Sequence, residues 1–326
     1  VSRITRRGVL TAGVAAAGAT VVGVPIARRL SQPSARVATL AIPTYGTDLA
    51  ERLLAGLREF PDTVRRVRGA RVVLKPNLVE WNPARPINTD PRFVGAVADA
   101  FRRLDASEVV VAEGPGHRRD TELVLEQSGL DAVLRRARIP FVDLNVDGVR
   151  RRQLPRDRSG LGALELAATA VGADLLVSLP KLKTHHWAGV TLSCKNLFGL
   201  VPGSVYGWPK NPLHWAGIDN CIADLWDAVQ PDFAIVDGIV GMDGDGPIMG
   251  DPVQAGLVVM GDQCPAVDAT AARLMGLDPH RIRHLWLASW SGGTLSEGRI
   301  DVIGDPVRAH DFRLLPQWEG LRLESA

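Results

Sequence analysis

Three hundred and twenty-six residues, 46% hydrophobic and 23% charged, suffice for one large or two small globular domains and exclude disordered, collagenous and multi-span membrane classes. Three cysteines, at 194, 221 and 264, are too few and too far apart for a disulfide framework, a C-x-x-C redox pair or a four-cysteine iron-sulfur ligand set. The formal charge is +2, but residues 1–30 carry five arginines and no acid, leaving 33 basic against 36 acidic side chains beyond them. A nucleic-acid-binding body would need the opposite balance to neutralise phosphates, so no nucleic-acid partner is expected.

In chain order, the first segment does not read as part of a folded body. Arg3, Arg6 and Arg7 precede an apolar run of small residues from Gly8 to Ile26, and Arg28-Arg29 closes it. Thr5-Arg6-Arg7-Gly8-Val9-Leu10 resembles the twin-arginine export signal, whose paired arginines lead into a weakly hydrophobic stretch. Residues 1–35 are therefore expected to be a signal segment and linker, read by the twin-arginine translocase and directing the body to the periplasm, cell surface or exterior. The run is also long enough for an uncleaved segment to anchor the chain in a bilayer, and no A-x-A site follows it at the usual place. That route carries folded proteins, often with a cofactor already inserted, which favours a bound cofactor without requiring one.

Residues 36–326 are expected to form a single α/β domain. Short β-branched runs at 37–42, 71–74, 108–112, 140–144, 174–179, 232–236 and 255–260 read as buried strands. Segments 48–60, 91–104, 121–136, 218–229 and 266–275 carry apolar residues at helical spacing. Alternating strands and helices imply a mostly parallel sheet with helices on both faces, in one lobe or two. The arginine-rich stretch 147–162 is the candidate lobe boundary or exposed hairpin. In such sheets ligands sit in loops beyond the strand ends.

The lysines are the sharpest compositional signal. There are five, at 75, 181, 183, 195 and 210, against 33 arginines, and four of the five fall between 181 and 210. Solvated loop charges would explain them blandly. A compact, pKa-tunable amine can also hold an anion or form a covalent bond where a planar guanidinium cannot.

These lysines follow strands. Lys75-Pro76-Asn77 ends one, with Thr89 or Asp90 as the expected cap of the next helix. Pro180-Lys181-Leu182-Lys183-Thr184-His185-His186 ends another and leads to Ser193-Cys194-Lys195-Asn196. Asp237-Gly238 precedes a glycine-rich turn with Gly246-Pro247, and Ala266-Val267-Asp268 opens a helix ending at Met275-Gly276. In order, the K-P-N-L, T-D-P, K-L-K-T-H, S-x-K-N-x-x-G, acid-glycine, G-P and A-V-D segments resemble the domain-of-unknown-function family numbered 362, over roughly 37–304. Some members of that family carry ferredoxin-like cysteine clusters; this sequence lacks them, so no iron-sulfur cofactor is expected.

The stretch from His185 to Lys195, with Ala188-Gly189 between, is also faintly similar to nickel-pincer lactate racemases, whose catalytic histidine precedes a lysine holding the pincer cofactor. On that resemblance Gly116-His117-Arg118 echoes their G-x-H-R segment and His214 stands for a nickel-binding histidine. The chain departs from the pattern at Leu192-Ser193, where those enzymes have two glycines.

Plainer roles stand beside these. His185 and His186 on a strand would point to opposite faces, so only one is expected to face a site. His117 reads equally well as a solvated loop residue, and His280, His284 and His310 read as surface or cap residues. Trp81, Trp187, Trp208 and Trp215 lie in the same loops, where they either stack on a ligand or fill the core beneath. No G-x-x-x-x-G-K-[ST], H-E-x-x-H or G-x-S-x-G motif is present.

The sequence thus points to an exported α/β enzyme that binds a small anionic ligand or cofactor through lysine-rich loops, with proton-transfer or redox chemistry. Lys195 is the expected covalent or charge anchor, with His185 and His117 in proton transfer. Lys75, Asn77, Lys181, Lys183, Asn196, Asp237 and Asp268 are the ligand-binding candidates, and His214 the metal candidate. The cofactor is unnamed: a metal or a covalently held organic group both suit this set. The alternative is an extracytoplasmic anion-binding protein without turnover.

Overall fold

The computed structural model describes residues 34–116, 120–208 and 210–324. The arginine-rich leader and His117 lie outside them.

Thirteen strands are present among the described residues. β1 (Ala35–Ala41), β2 (Arg71–Pro76), β3 (Glu108–Glu113) and β4 (Phe141–Asp143) alternate with helices, and β5 (Val149–Gln153) and β6 (Ala163–Ala167) form a separate hairpin. They are followed by β7 (Leu175–Leu179), β8 (Lys181–His185), β9 (Gly189–Thr191), β10 (Phe233–Asp243), β11 (Asp251–Val253), β12 (Leu257–Gly261) and β13 (Ile300–Gly304). The main sheet runs β13-β1-β12-β10-β7-β2-β3-β4, with β8 and β11 paired to the far half of β10 and β9 paired to β8. All pairings along this row are parallel except those of β12, which is antiparallel to both β1 and β10.

The expected mostly parallel sheet covered on both faces is what forms. Successive strand residues point to opposite faces. Leu74, Val111, Val177 and Ile235 pack under helices Leu49–Arg58, Pro91–Arg102 and Leu130–Ala137. Val73, Val110, Leu176 and Val236 pack under helices Ile218–Val229 and Cys264–Leu274. Full burial of each such side chain contributes roughly 1.5–3 kcal/mol relative to exposure. The expected helix at 121–136 is broken in two by Gly129, whose φ of +78° is the left-handed region that glycine adopts without a Cβ clash. Asp90, not Thr89, caps helix Pro91–Arg102, accepting from Arg92 N at 2.8 Å. Thr89 instead donates to the Leu179 carbonyl at 2.7 Å.

The arginine-rich stretch 147–162 is the outer strand of the exposed hairpin and its loop, not a break in the sheet, since β3 and β7 on either side of it share one sheet. Because β2, β3, β7 and β10 are parallel, the loops after them open on one edge. The chain runs through Pro180 from β7 directly into β8, which continues beyond that edge alongside β10, pairing Lys181 with Asp237 and Lys183 with Met242. This extension carries His185 above the ends of β2 and β3.

Candidate functional site

The floor of the site is a buried ion pair. Lys75, near the end of β2, is fully buried and donates to Glu113, the last residue of β3. It also donates to Asn196 Oδ1 and Pro76 O, each at 3.3 Å. Asn196 Nδ2 donates back to the Lys75 carbonyl at 3.0 Å and to Ser178 Oγ at 3.1 Å, and Asn77 Nδ2 donates to Asn196 Oδ1 at 3.3 Å. A Cβ at Gly199 would collide with Lys75 Nζ and both Glu113 oxygens, so only glycine lets the turn Leu197–Leu200 close over the pair. Burial lowers the Lys75 pKa, and Glu113 opposes that shift.

Above this floor lies a cavity of about 280 Å³, lined by Asn77, Glu113, His185, His186, Lys195, Asn196, Lys210 and His214 and walled by Val79, Trp187, Phe198 and Ile248. Lys195 Nζ lies 4.0 Å from the centre of the Phe198 ring, a cation over an aromatic face. Among the described residues it has no carboxylate or hydrogen-bond partner. Burial first, then the charges of Lys210 and Lys75, push its pKa down to about 7. Lys210 donates to the carbonyls of Gly114 at 2.9 Å and Phe198 at 3.2 Å, and burial brings it down to about 8.

The two histidines hold complementary protons. His185 Nδ1 accepts the backbone N–H of Trp187 at 3.0 Å and of Ala188 at 3.3 Å, which puts the neutral ring's proton on Nε2. Burial and the nearby Lys195 hold its pKa well below the usual histidine range, so it stays neutral. His214 Nδ1 faces the Lys210 carbonyl at 3.2 Å and must donate there, leaving Nε2 a free lone pair. Its pKa is lowered too, by burial and Lys195. Asn77 Oδ1, Glu113 Oε2 and Thr191 Oγ1 line the cavity buried and without hydrogen-bond partners among the described residues.

Several candidates stand elsewhere. Lys181 Nζ is paired at 2.8 Å with Asp237 and at 2.9 Å with Tyr45 OH, and Tyr45 OH donates to Asp237 at 2.8 Å. That triad underlies a separate cleft of about 440 Å³ lined by Tyr45, Trp81, Arg85 and Arg92, so Lys181 and Asp237 brace the β8–β10 junction instead of lining the cavity. Lys183 is wholly buried and spends its donors on the carbonyls of Ile87 at 2.6 Å and Pro247 at 3.3 Å. Asp268 is also structural in position: it accepts the N–H groups of Ser193 at 2.7 Å and Cys194 at 2.9 Å, pinning the start of helix Ser193–Asn196, which carries Lys195. Its own pKa is raised by burial.

Other expectations need correcting. His185 and His186 both line the cavity, because β8 ends at His185 and the chain turns there, which breaks the two-residue alternation. His284, expected at the surface, is fully buried with Nδ1 3.2 Å from Asp219. Trp81, Trp187, Trp208 and Trp215 do not fill the core: they are 40%, 55%, 36% and 79% exposed. Among the described residues no three His, Cys, Asp or Glu side chains are grouped to hold a metal ion. Glu113 and Lys210 escaped the sequence reading as site residues, although Glu113 ends a strand before Gly114-Pro115-Gly116 and Lys210 is one of only five lysines.

The sequence pattern of the family described as Domain of unknown function (DUF362) matches residues 72–273. The thylakoid-associated protein sll1697 of Synechocystis sp. is 33% identical over 223 residues, 66% of this chain and 65% of that protein, so the chain spans just under two thirds of this relative. Among solved structures, the lactate racemase apoprotein from Thermoanaerobacterium thermosaccharolyticum aligns over 80% of this chain and 57% of its own, with a TM-score of 0.43 and 16% identity. A structural-genomics protein from Thermotoga maritima aligns over 74% of this chain and 59% of its own, with a TM-score of 0.37 and 13% identity. Both structural likenesses are too distant to transfer residue roles.

Proposed function

This chain belongs to the DUF362 family, and we propose that it is an enzyme that binds a small organic anion in the Lys195 cavity and moves a proton to or from it. The observation that supports this most is Lys195 itself, an ammonium held against Phe198 beside Lys210 and Lys75 with no carboxylate partner among the described residues. A bound anion would work against the burial, and the smaller repulsion between ammonium groups, that depress the Lys195 pKa, and would favour its charged form. His185 Nε2–H then donates a hydrogen bond to the ligand, and His214 Nε2 takes up the ligand's proton and returns it. The unpartnered oxygens of Asn77 and Glu113 favour a ligand that also carries a hydroxyl or amine donor.

Calorimetric titration with small carboxylates and inorganic phosphate tests binding. The expected result is saturable binding that weakens as pH rises through about 7, where Lys195 loses its proton, and is lost in Lys195→Met. Incorporation of deuterium from heavy water at a ligand carbon, read by NMR, tests turnover. Binding without incorporation would leave a non-catalytic anion-binding protein, and no binding by any of these anions would remove the reading.

Export by the twin-arginine route is proposed on Arg6-Arg7 ahead of the apolar run. Changing both to lysine is expected to leave a folded body in the cytoplasm, and unchanged export of that variant would end the proposal. No helix among the described residues is long and apolar enough to cross a membrane.

A further inference from the structure

Four of the five lysines direct their amines to acceptors within the fold. Lys75 reaches Glu113, Lys181 reaches Asp237, and Lys183 and Lys210 each meet backbone carbonyls. Lys195 has no acceptor among the described residues: its Nζ lies over the face of Phe198, and the side chain lines the cavity. An ammonium in a cavity of this size is poorly hydrated, and one aromatic face offsets only part of the loss. The fold by itself therefore favours the free amine, and the fall of the Lys195 pKa to about 7 agrees. A lysine amine held in this way is a nucleophile at neutral pH.

The groups around it suit one electrophile, a carbonyl carbon. His185 has Nδ1 occupied by the N–H groups of Trp187 and Ala188, so its Nε2–H is the atom left to hydrogen-bond and polarise a carbonyl oxygen. His214, on the same lining, keeps a lone pair on Nε2. Lys210 gives N–H groups to the carbonyls of Gly114 and Phe198 and retains one more for a carboxylate. At about 280 Å³ the cavity admits only a small ligand. We propose that Lys195 forms an imine with a small oxo acid, a carboxylate that bears a ketone or aldehyde carbon. This rests on the anion binding and proton transfer inferred above and adds the covalent bond through which they act. In the step, the Lys195 nitrogen bonds the carbonyl carbon as the carbon–oxygen bond breaks. Two protons of the ammonium leave with that oxygen as water, passing through His214 Nε2. One ammonium and one carbonyl thus give one iminium ion and one water, with no oxidant or reductant. The iminium keeps the positive charge beside the carboxylate and draws electrons from the adjacent C–H bond, whose proton His214 Nε2 accepts.

The scarcity of lysine makes the test selective, because the other four are buried and hydrogen-bonded. The full chain is incubated near neutral pH with pyruvate, and separately with acetoacetate, in the presence of sodium cyanoborohydride, which reduces an iminium to a stable amine. Intact-mass measurement should show a gain of one oxo acid less one oxygen atom, and peptide mapping should place it on Lys195. Acetate and propionate, which lack the carbonyl, should bind by calorimetry and add no mass. Lys195→Arg should retain weaker anion binding and lose the mass gain altogether. Lys195→Cys should also lose it, and alkylation with bromoethylamine, which rebuilds a primary amine at 195 while the three buried native cysteines stay unmodified, should restore it. Binding of pyruvate and acetoacetate without any gain in mass would overturn the imine and leave the anion site standing. A gain confined to other lysines or to the terminal amine would overturn it equally. Neither binding nor mass gain with any of these acids would remove the imine and the anion site together.

Discussion

Lys181 and Lys195 are fourteen positions apart in one strand-and-loop unit, yet the fold uses them in opposite ways. The Lys181 ammonium meets Asp237 at 2.8 Å and Tyr45 OH at 2.9 Å, and the carboxylate also takes the Asp90 N–H at 3.0 Å. Every partner in that cluster has a counterpart, and burial beside Asp237 raises the Tyr45 pKa so that the phenol keeps its proton. Lys195 has an aromatic face, two cationic neighbours and a cavity. A lysine whose donors are satisfied stabilises the scaffold; one whose donors are not is available to a ligand.

The largest effects should come from breaking satisfied pairs. Lys181→Met and Lys75→Met each strand a buried carboxylate, Asp237 or Glu113, and should cost about 3–5 kcal/mol in denaturant unfolding. Lys195→Met strands no charge and should leave stability unchanged or raised. Equal losses for Lys181→Met and Lys195→Met would erase the contrast.

A smaller effect is expected at the roof of the floor pair. Gly199→Ala pushes a methyl into Lys75 and Glu113 and should cost about 1–3 kcal/mol, with altered anion binding if the pair shifts beneath the cavity. Wild-type stability and binding in this variant would mean that the turn Leu197–Leu200 yields easily.

The pH dependence sharpens the comparison further. With folded pKa values of about 7 for Lys195 and about 8 for Lys210 against an ordinary 10.5, the unfolded chain binds more protons between those limits. Stability should therefore rise with pH from about 7 toward 10.5. Lys75 and Lys183, also lowered by burial, act in the same direction. Thermal unfolding across that range should show a reduced slope in Lys195→Met, and an anion that keeps Lys195 charged should lower the slope in the wild type. An identical slope in both proteins would place the titration elsewhere.

The smallest change tests shape at constant charge. Lys195→Arg should fold normally and bind anions more weakly, because a planar guanidinium does not fit a space shaped by an ammonium over Phe198. Equal affinity would mean that charge alone holds the ligand.

Much of this architecture was legible from periodicity. Strands such as Val72-Val73-Leu74 and Val109-Val110-Val111 are buried on both faces and so are apolar without interruption, which is how a central parallel strand reads. Short pieces attached at the sheet edge, β8, β9 and β11, were not legible, because a KLKTH segment has no apolar period and forms a strand only where β10 offers its edge. The break at Gly129 was hidden by apolar spacing that continues across it. Within the candidate site, the scarcity of lysine pointed to loops that include the cavity-lining Lys195, but it could not tell Lys195 from Lys181 or Lys183.

The sequence by itself determined the family motifs, the alternation of strands and helices, and the edge on which the loops gather, because these depend on local residue patterns and on the parallel order they impose. The tertiary structure decided which lysine is left without a partner. That choice depends on whether a carboxylate or a backbone carbonyl lies within hydrogen-bond reach of each ammonium, and Glu113, Asp237 and the Ile87 carbonyl come from 38, 56 and 96 residues away in the chain from Lys75, Lys181 and Lys183.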